Sequence, residues 1–215
     1  MMKRVLLGFF VVFTVYGAAM AGAEAYRLVM SKDKELCQTV LTLFNADMKR
    51  YKEIRYDDDI FRAISWKSVD LGEQTYGCYF LSHAMFDINN DGREDLVIKQ
   101  RSCLRDILVD KLFVFPQDSD VLSRIHAGPG GGEALDQTKN RFFEINAGHS
   151  LEGLSFAESQ GLPQGIGGTV LHPFLWKNKA YVSMTDFDPE WIVIARYLEQ
   201  QKFQDVCYFR GRKIF

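Results

Sequence analysis

Eleven residues, Phe86-Asp87-Ile88-Asn89-Asn90-Asp91-Gly92-Arg93-Glu94-Asp95-Leu96, constrain this chain more than any other stretch. Oxygen-bearing side chains recur at alternate positions, Asp87, Asn89 and Asp91; Gly92 follows, and a further carboxylate stands at Asp95. That spacing suits a loop wrapped round one hard cation, with the backbone carbonyl of Arg93 as an additional oxygen. Gly92 allows the sharp turn that a Cβ would resist. The same residues also suit a turn held by side-chain to backbone hydrogen bonds without a metal. Four ligand-type side chains in alternation favour the cation.

An EF-hand requires a bidentate Glu at the twelfth loop position and a helix on either side. Counted from Asp87, the twelfth residue is Ile98. The flanks, Tyr79 to Phe86 and Leu96 to Gln100, are rich in aromatic and branched residues of strand character. A metal-binding turn between two antiparallel strands is expected instead. The string F-D-I-N-N-D-G-R-E-D-L-V-I resembles the calcium-binding hairpin of FG-GAP/VCBS-type repeats, found in integrin-like β-propellers and many exported bacterial proteins. The resemblance implies side-chain ligands at Asp87, Asn89, Asp91 and Asp95, the Arg93 carbonyl between them, and a structural Ca2+. It covers a single copy, whereas a propeller repeats the motif in every blade.

Met1 to Ala23 has the make-up of an export signal. Lys3 and Arg4 form a positive start, Val5 to Tyr16 is almost wholly apolar, and Ala21-Gly22-Ala23 offers an A-x-A-like cleavage site. Removing Lys3 and Arg4 with it shifts the formal net charge from −2 to −4. A weakly acidic chain without a basic stripe is a poor nucleic-acid binder. No second apolar stretch of spanning length follows, so no membrane association is expected after cleavage. The compartment expected is periplasmic or extracellular.

Four cysteines in an exported chain pair as two disulfides, with three connectivities possible. Cys78 lies nine residues before Asp87 and Cys103 eight after Asp95, nearly symmetric about the loop. Antiparallel pairing sets them opposite each other or one step off. The expected bridges are Cys78–Cys103 and, by elimination, Cys37–Cys207. No CxxC or close Cys/His pair points to zinc.

Ser31 to about Tyr51 carries the clearest helical pattern. Leu36, Cys37, Val40, Leu41, Phe44, Met48 and Tyr51 recur at three- and four-residue spacing as one buried stripe, with Ser31 as the expected cap. The acidic run Tyr56-Asp57-Asp58-Asp59 is expected to be a solvated turn. Strand patterns follow at 111–115, 121–126, 141–147, 170–176, 180–185, 191–198 and 203–210, with a hairpin turn at Lys177-Asn178-Lys179. Gly128 to Gly132 lacks the G-K-[ST] ending of a phosphate loop, and Gly161 to Gly168 is a second glycine-rich loop. Asp186 and Asp188 are expected to form a turn.

No complete catalytic set and no organic-cofactor motif is present. Gly148-His149-Ser150-Leu151-Glu152 approaches the G-x-S-x-G elbow, but Glu152 stands where the second Gly belongs. His83, His126, His149 and His172 are scattered, without an i, i+4 pair. The expectation is an α+β fold in one domain, residues 24–215, with the N-terminal helix packed on a largely antiparallel, meandering sheet. The function expected is binding of an unknown protein or cell-surface ligand, of inhibitor or immunity type. A hydrolase with Ser150 as nucleophile is the alternative, and a polysaccharide binder, given 13% aromatic residues, a third.

Overall fold

In the computed structural model the described residues are 25–70, 79–104, 107–125, 135, 143–146, 169–186, 190–198 and 203–211. Helix α1 (Lys34–Tyr51) begins where the Asp33 carboxylate accepts the Leu36 N–H at 3.0 Å. Ser31, the expected cap, is instead the last residue of strand β1 (Tyr26–Ser31). An aspartate at this position satisfies an orphan N–H and faces the positive helix end, so it does more than a serine two residues earlier. Leu36, Cys37, Val40, Leu41 and Phe44 are buried as expected. Tyr51 is not: it is exposed, with Arg50 and Arg55 lying 5.0 and 4.8 Å from its ring centre. Two guanidiniums over one ring keep it at the surface by cation–π attraction.

The remaining elements are helix α2 (Asp59–Arg62), strands β2 (Lys67–Ser68), β3 (Phe80–Phe86), β4 (Asp95–Leu104) and β5 (Ile107–Pro116), helix α3 (Val121–Ile125), then β6 (Phe143–Asn146), β7 (Thr169–Trp176), β8 (Lys179–Asp186), β9 (Trp191–Tyr197) and β10 (Phe203–Gly211). Among the described residues they form two five-stranded antiparallel sheets, ordered β1-β10-β9-β8-β7 and β2-β3-β4-β5-β6. The fold is α+β, as expected. The single sheet expected from sequence is two, each a meander, with β1 added beside the C-terminal strand.

The sheets stack face to face and the helices cover the outside. Ala84, Phe86, Val97, Leu112 and Val114 of one sheet meet Leu171, Val182, Met184, Val193 and Tyr197 of the other. Helix α1 and Phe61 of α2 pack on the far face of the first sheet, against Ile192, Ile194 and Phe209. Val121 and Ile125 of α3 pack on the far face of the second, against Leu96, Ile98, Phe113 and Phe115. A sheet buried on both faces needs apolar residues at successive positions. This is why β9 reads Trp-Ile-Val-Ile-Ala-Arg-Tyr and β5 contains Leu-Phe-Val-Phe.

The stretch 121–126 is a short helix rather than the expected strand. The Ser119 hydroxyl accepts the Val121 N–H, and its two inward residues sit four apart. The hairpin turn is tighter than expected: Lys177 and Asn178, at φ 50 and 61, form the whole loop, and Lys179 already pairs with Trp176. Two left-handed residues match the twist of the flanking strands. The Cys37–Cys207 disulfide ties α1 to β10 across 170 residues, as expected. No helix among the described residues is long and apolar enough to cross a membrane. The expected export signal (1–23), Cys78, His126, both expected glycine-rich loops, His149, Ser150 and Asp188 lie outside the described residues.

Candidate metal centre

Strands β3 and β4 pair in register from Phe80↔Arg101 to Phe86↔Asp95, so the loop between them is residues 87–94. It is a strand–loop–strand unit, as the sequence pattern requires. Alternation within the loop divides its labour. Ile88 points into the inter-sheet core, 1% exposed. Asn90 reaches the other sheet: its Oδ1 accepts the Ala180 N–H at 2.7 Å and its Nδ2 donates to the Ala180 carbonyl at 3.1 Å. Ala180 lies two residues beyond the last pair that β8 makes with β9, Val182↔Ala195, so the Asn90 amide takes the place of a missing strand partner. Asn90 tolerates the φ of 61 that this docking imposes.

The residues between these anchors carry the oxygens. The Asp87 carboxylate accepts the N–H groups of Asp91 (2.9 Å) and Gly92 (2.8 Å). Asn89 Oδ1 also accepts the Asp91 N–H, at 3.0 Å. Asp91 accepts the Arg93 N–H at 2.8 Å and the Arg93 guanidinium at 2.9 Å. Gly92, at φ 90, makes the turn. The loop is thus closed by Asx hydrogen bonds. Each carboxylate oxygen has two lone pairs, so accepting an N–H leaves capacity for a further partner.

Asp95 differs from the other three. Its Oδ2 is buried and has no hydrogen-bond partner among the described residues. Burial pushes its carboxyl up to about 6; the Ile88 N–H opposes this, while the charges of Asp91 and Asp87 add to it. Asp91 is held below the usual carboxylate range by the Arg93 guanidinium and N–H. Three carboxylates therefore repel one another across the loop, and one exposed arginine answers them. Asp91, Arg93 and Asp95 also border a cleft of about 820 Å³ that runs to Phe115, Asp118 and Tyr197.

Among the described residues no group of three or more His, Cys, Asp or Glu side chains stands gathered as a ready-made cation site. Asp87, Asn89, Asp91 and Arg93 share the loop and Asp95 opens β4, but the first three direct oxygens to the loop backbone. The acidic run at 56–59 has another use: Asp58 caps α2, and the Tyr56 hydroxyl is buried against Ser183 Oγ at 3.0 Å. Burial pushes that phenol up to about 12.

Two features escaped the sequence. Asn90 carried no signal separating it from Asn89, because docking depends on the other sheet. The second is a buried ion cluster on β4 and β5. Arg101 Nε and Nη2 donate to both oxygens of Asp110, at 2.8 and 3.0 Å, and Lys99 Nζ lies 3.2 Å from Asp110. Lys99 and Arg101 alternate like a solvated strand face, which hid them. Comparison with known proteins gives no match to the chain among family models, curated proteins or solved structures.

Proposed function

We propose that this is an exported binding protein whose 87–95 hairpin takes up a structural divalent cation of calcium type, and whose partner is a protein or cell-surface ligand. The observation that carries the cation reading is the buried, unpartnered Asp95 Oδ2 beside Asp87 and Asp91. A buried anionic oxygen without a donor costs free energy that a coordinated cation removes. Asp87, Asn89, Asp91 and Asp95 would hold the ion, with the Arg93 carbonyl, which agrees with the FG-GAP/VCBS-type resemblance of the loop. The cation would supply charge neutralisation and stability rather than reactivity. Millimolar calcium outside the cytoplasm fills even weak sites, and binding to the folded state alone stabilises it by mass action.

Export is supported by the Cys37–Cys207 bridge, since disulfides persist in oxidising compartments. A second bridge, Cys78–Cys103, is proposed from the near symmetry of the two cysteines about the loop in sequence; Cys78 lies outside the described residues. A polysaccharide-binding reading lacks support among the described residues. The exposed large aromatics there are Tyr51 and Phe80, on separate elements.

Thermal melting with and without chelator tests the cation. Millimolar calcium should raise Tm by several degrees, roughly 1–2 kcal/mol, and Asp91→Ala should remove the response. Melting that ignores calcium in the unmutated protein would end this reading.

A further inference from the structure

The ion cluster on β4 and β5 is unbalanced. Asp110 is heavily used: besides Arg101 and Lys99, its Oδ2 accepts the Leu171 N–H at 3.2 Å. Lys99 Nζ also donates to the Leu171 carbonyl, at 2.7 Å. Both Leu171 groups belong to β7, the edge strand of its sheet, so the cluster satisfies a strand edge inside the protein. That structural duty requires one carboxylate and one cation. The second cation remains, and the cluster carries a net positive charge.

Its donors are not exhausted either. Arg101 spends two of its five N–H groups and Lys99 two of three, with no further partner for either among the described residues. Both side chains line a cleft of about 310 Å³, walled by Trp66, Phe80 and His172. Phe80 is 60% exposed there and presents an apolar ring to the cleft. His172 forms a further wall: its Nε2–H donates to the Phe61 carbonyl at 3.2 Å, and its ring stacks on Tyr56. Burial first and then the Lys99 charge hold it down at about 4, against the Phe61 carbonyl and the Asp110 charge. No acidic side chain lines the cleft among the described residues.

We infer that this cleft is an anion-binding site, taking one carboxylate or phosphate group carried on a flat apolar body. The anion would meet the spare N–H groups of Arg101 and Lys99, and the apolar body would lie against Phe80 and Trp66. The size is at the lower end for ligand sites, suited to a single ring. The site is separate from the cation loop and does not depend on it.

The test is ligand-observed NMR on the full chain with benzoate, phenyl phosphate and benzamide as probes. Benzoate or phenyl phosphate should bind saturably, and whichever binds tighter identifies the oxyanion. Benzamide, of the same shape without the charge, should bind at least ~10-fold weaker, as should the preferred acid to Arg101→Gln. Phe80→Ala, at an exposed position, should weaken the acid by about 3-fold or more. If Arg101→Gln does not fold, the benzamide ratio and Phe80→Ala decide. Equal binding of benzoate and benzamide, indifference to Phe80→Ala, or no saturable binding of either acid at about 10 mM would overturn the proposal.

Discussion

Asp95 and Arg101 lie on the same face of strand β4, with Val97 and Lys99 between them, yet the two ends of that row solve opposite problems. At the Asp95 end three carboxylates crowd a loop, one arginine answers from the surface, and a buried oxygen goes without a partner. At the Arg101 end two cations share one carboxylate, both of whose oxygens accept hydrogen bonds. The first end is short of positive charge and the second of negative. An ion in low dielectric is stable only when paired and hydrogen-bonded. On the two proposals, this contrast leaves a place for a cation at the hairpin and for an anion at the cleft beside Arg101.

The largest effect should come from breaking the satisfied pair. Asp110→Ala leaves Lys99 buried without its counter-charge and strips the Leu171 N–H, so denaturant unfolding should show a loss of about 3 kcal/mol or more. A loss under ~1 kcal/mol would mean that water already serves the cluster.

Next comes acid sensitivity at the same end. His172 titrates near 6.5 when unfolded and is held at about 4 in the fold. Between those values the unfolded chain binds the additional proton, so stability is whole above pH 6.5 and declines as pH falls towards 4. The decline should reach roughly 2–3 kcal/mol, after discount for the partial exposure of the ring. Subtracting the profile of His172→Asn isolates it from the carboxylates that titrate in the same window. Identical profiles would show that the ring is already hydrated.

Smaller again is the docking of the hairpin. Asn90→Ala removes both bonds to Ala180 and should cost about 1–2 kcal/mol. It should also speed amide exchange in the loop, while leaving the Lys99–Asp110 end unaltered. The least effect on stability falls to Asp95→Asn. Without metal it relieves a buried charge and should raise stability by less than ~1 kcal/mol, the opposite sign to Asp110→Ala.

What could be learned from sequence follows the range of each interaction. The hairpin was legible because its ligand-type residues, its glycine and its flanking strands all lie within one short stretch. The α1 stripe and the Cys37–Cys207 bridge were legible for similar reasons, one periodic and one limited to three pairings. The cap moved from Ser31 to Asp33 because β1 occupies Ser31, and a strand that pairs with the far C-terminus leaves no local trace. Val121 to Ile125 is too short for its period to separate helix from strand. The second sheet was missed because a run such as Ile192-Val193-Ile194 shows burial on both sides without naming what covers each. Asn90, Lys99, Arg101 and Asp110 act across strands or between sheets, where adjacency in sequence says nothing.

The most direct measurement is isothermal titration of calcium into the chelator-treated protein and into Asp95→Asn. The account predicts one calcium per chain, with Kd between about 10⁻⁵ and 10⁻³ M, and loss of that binding in the variant despite its undiminished metal-free stability. No saturable binding at millimolar calcium, or equal binding by Asp95→Asn, would contradict it.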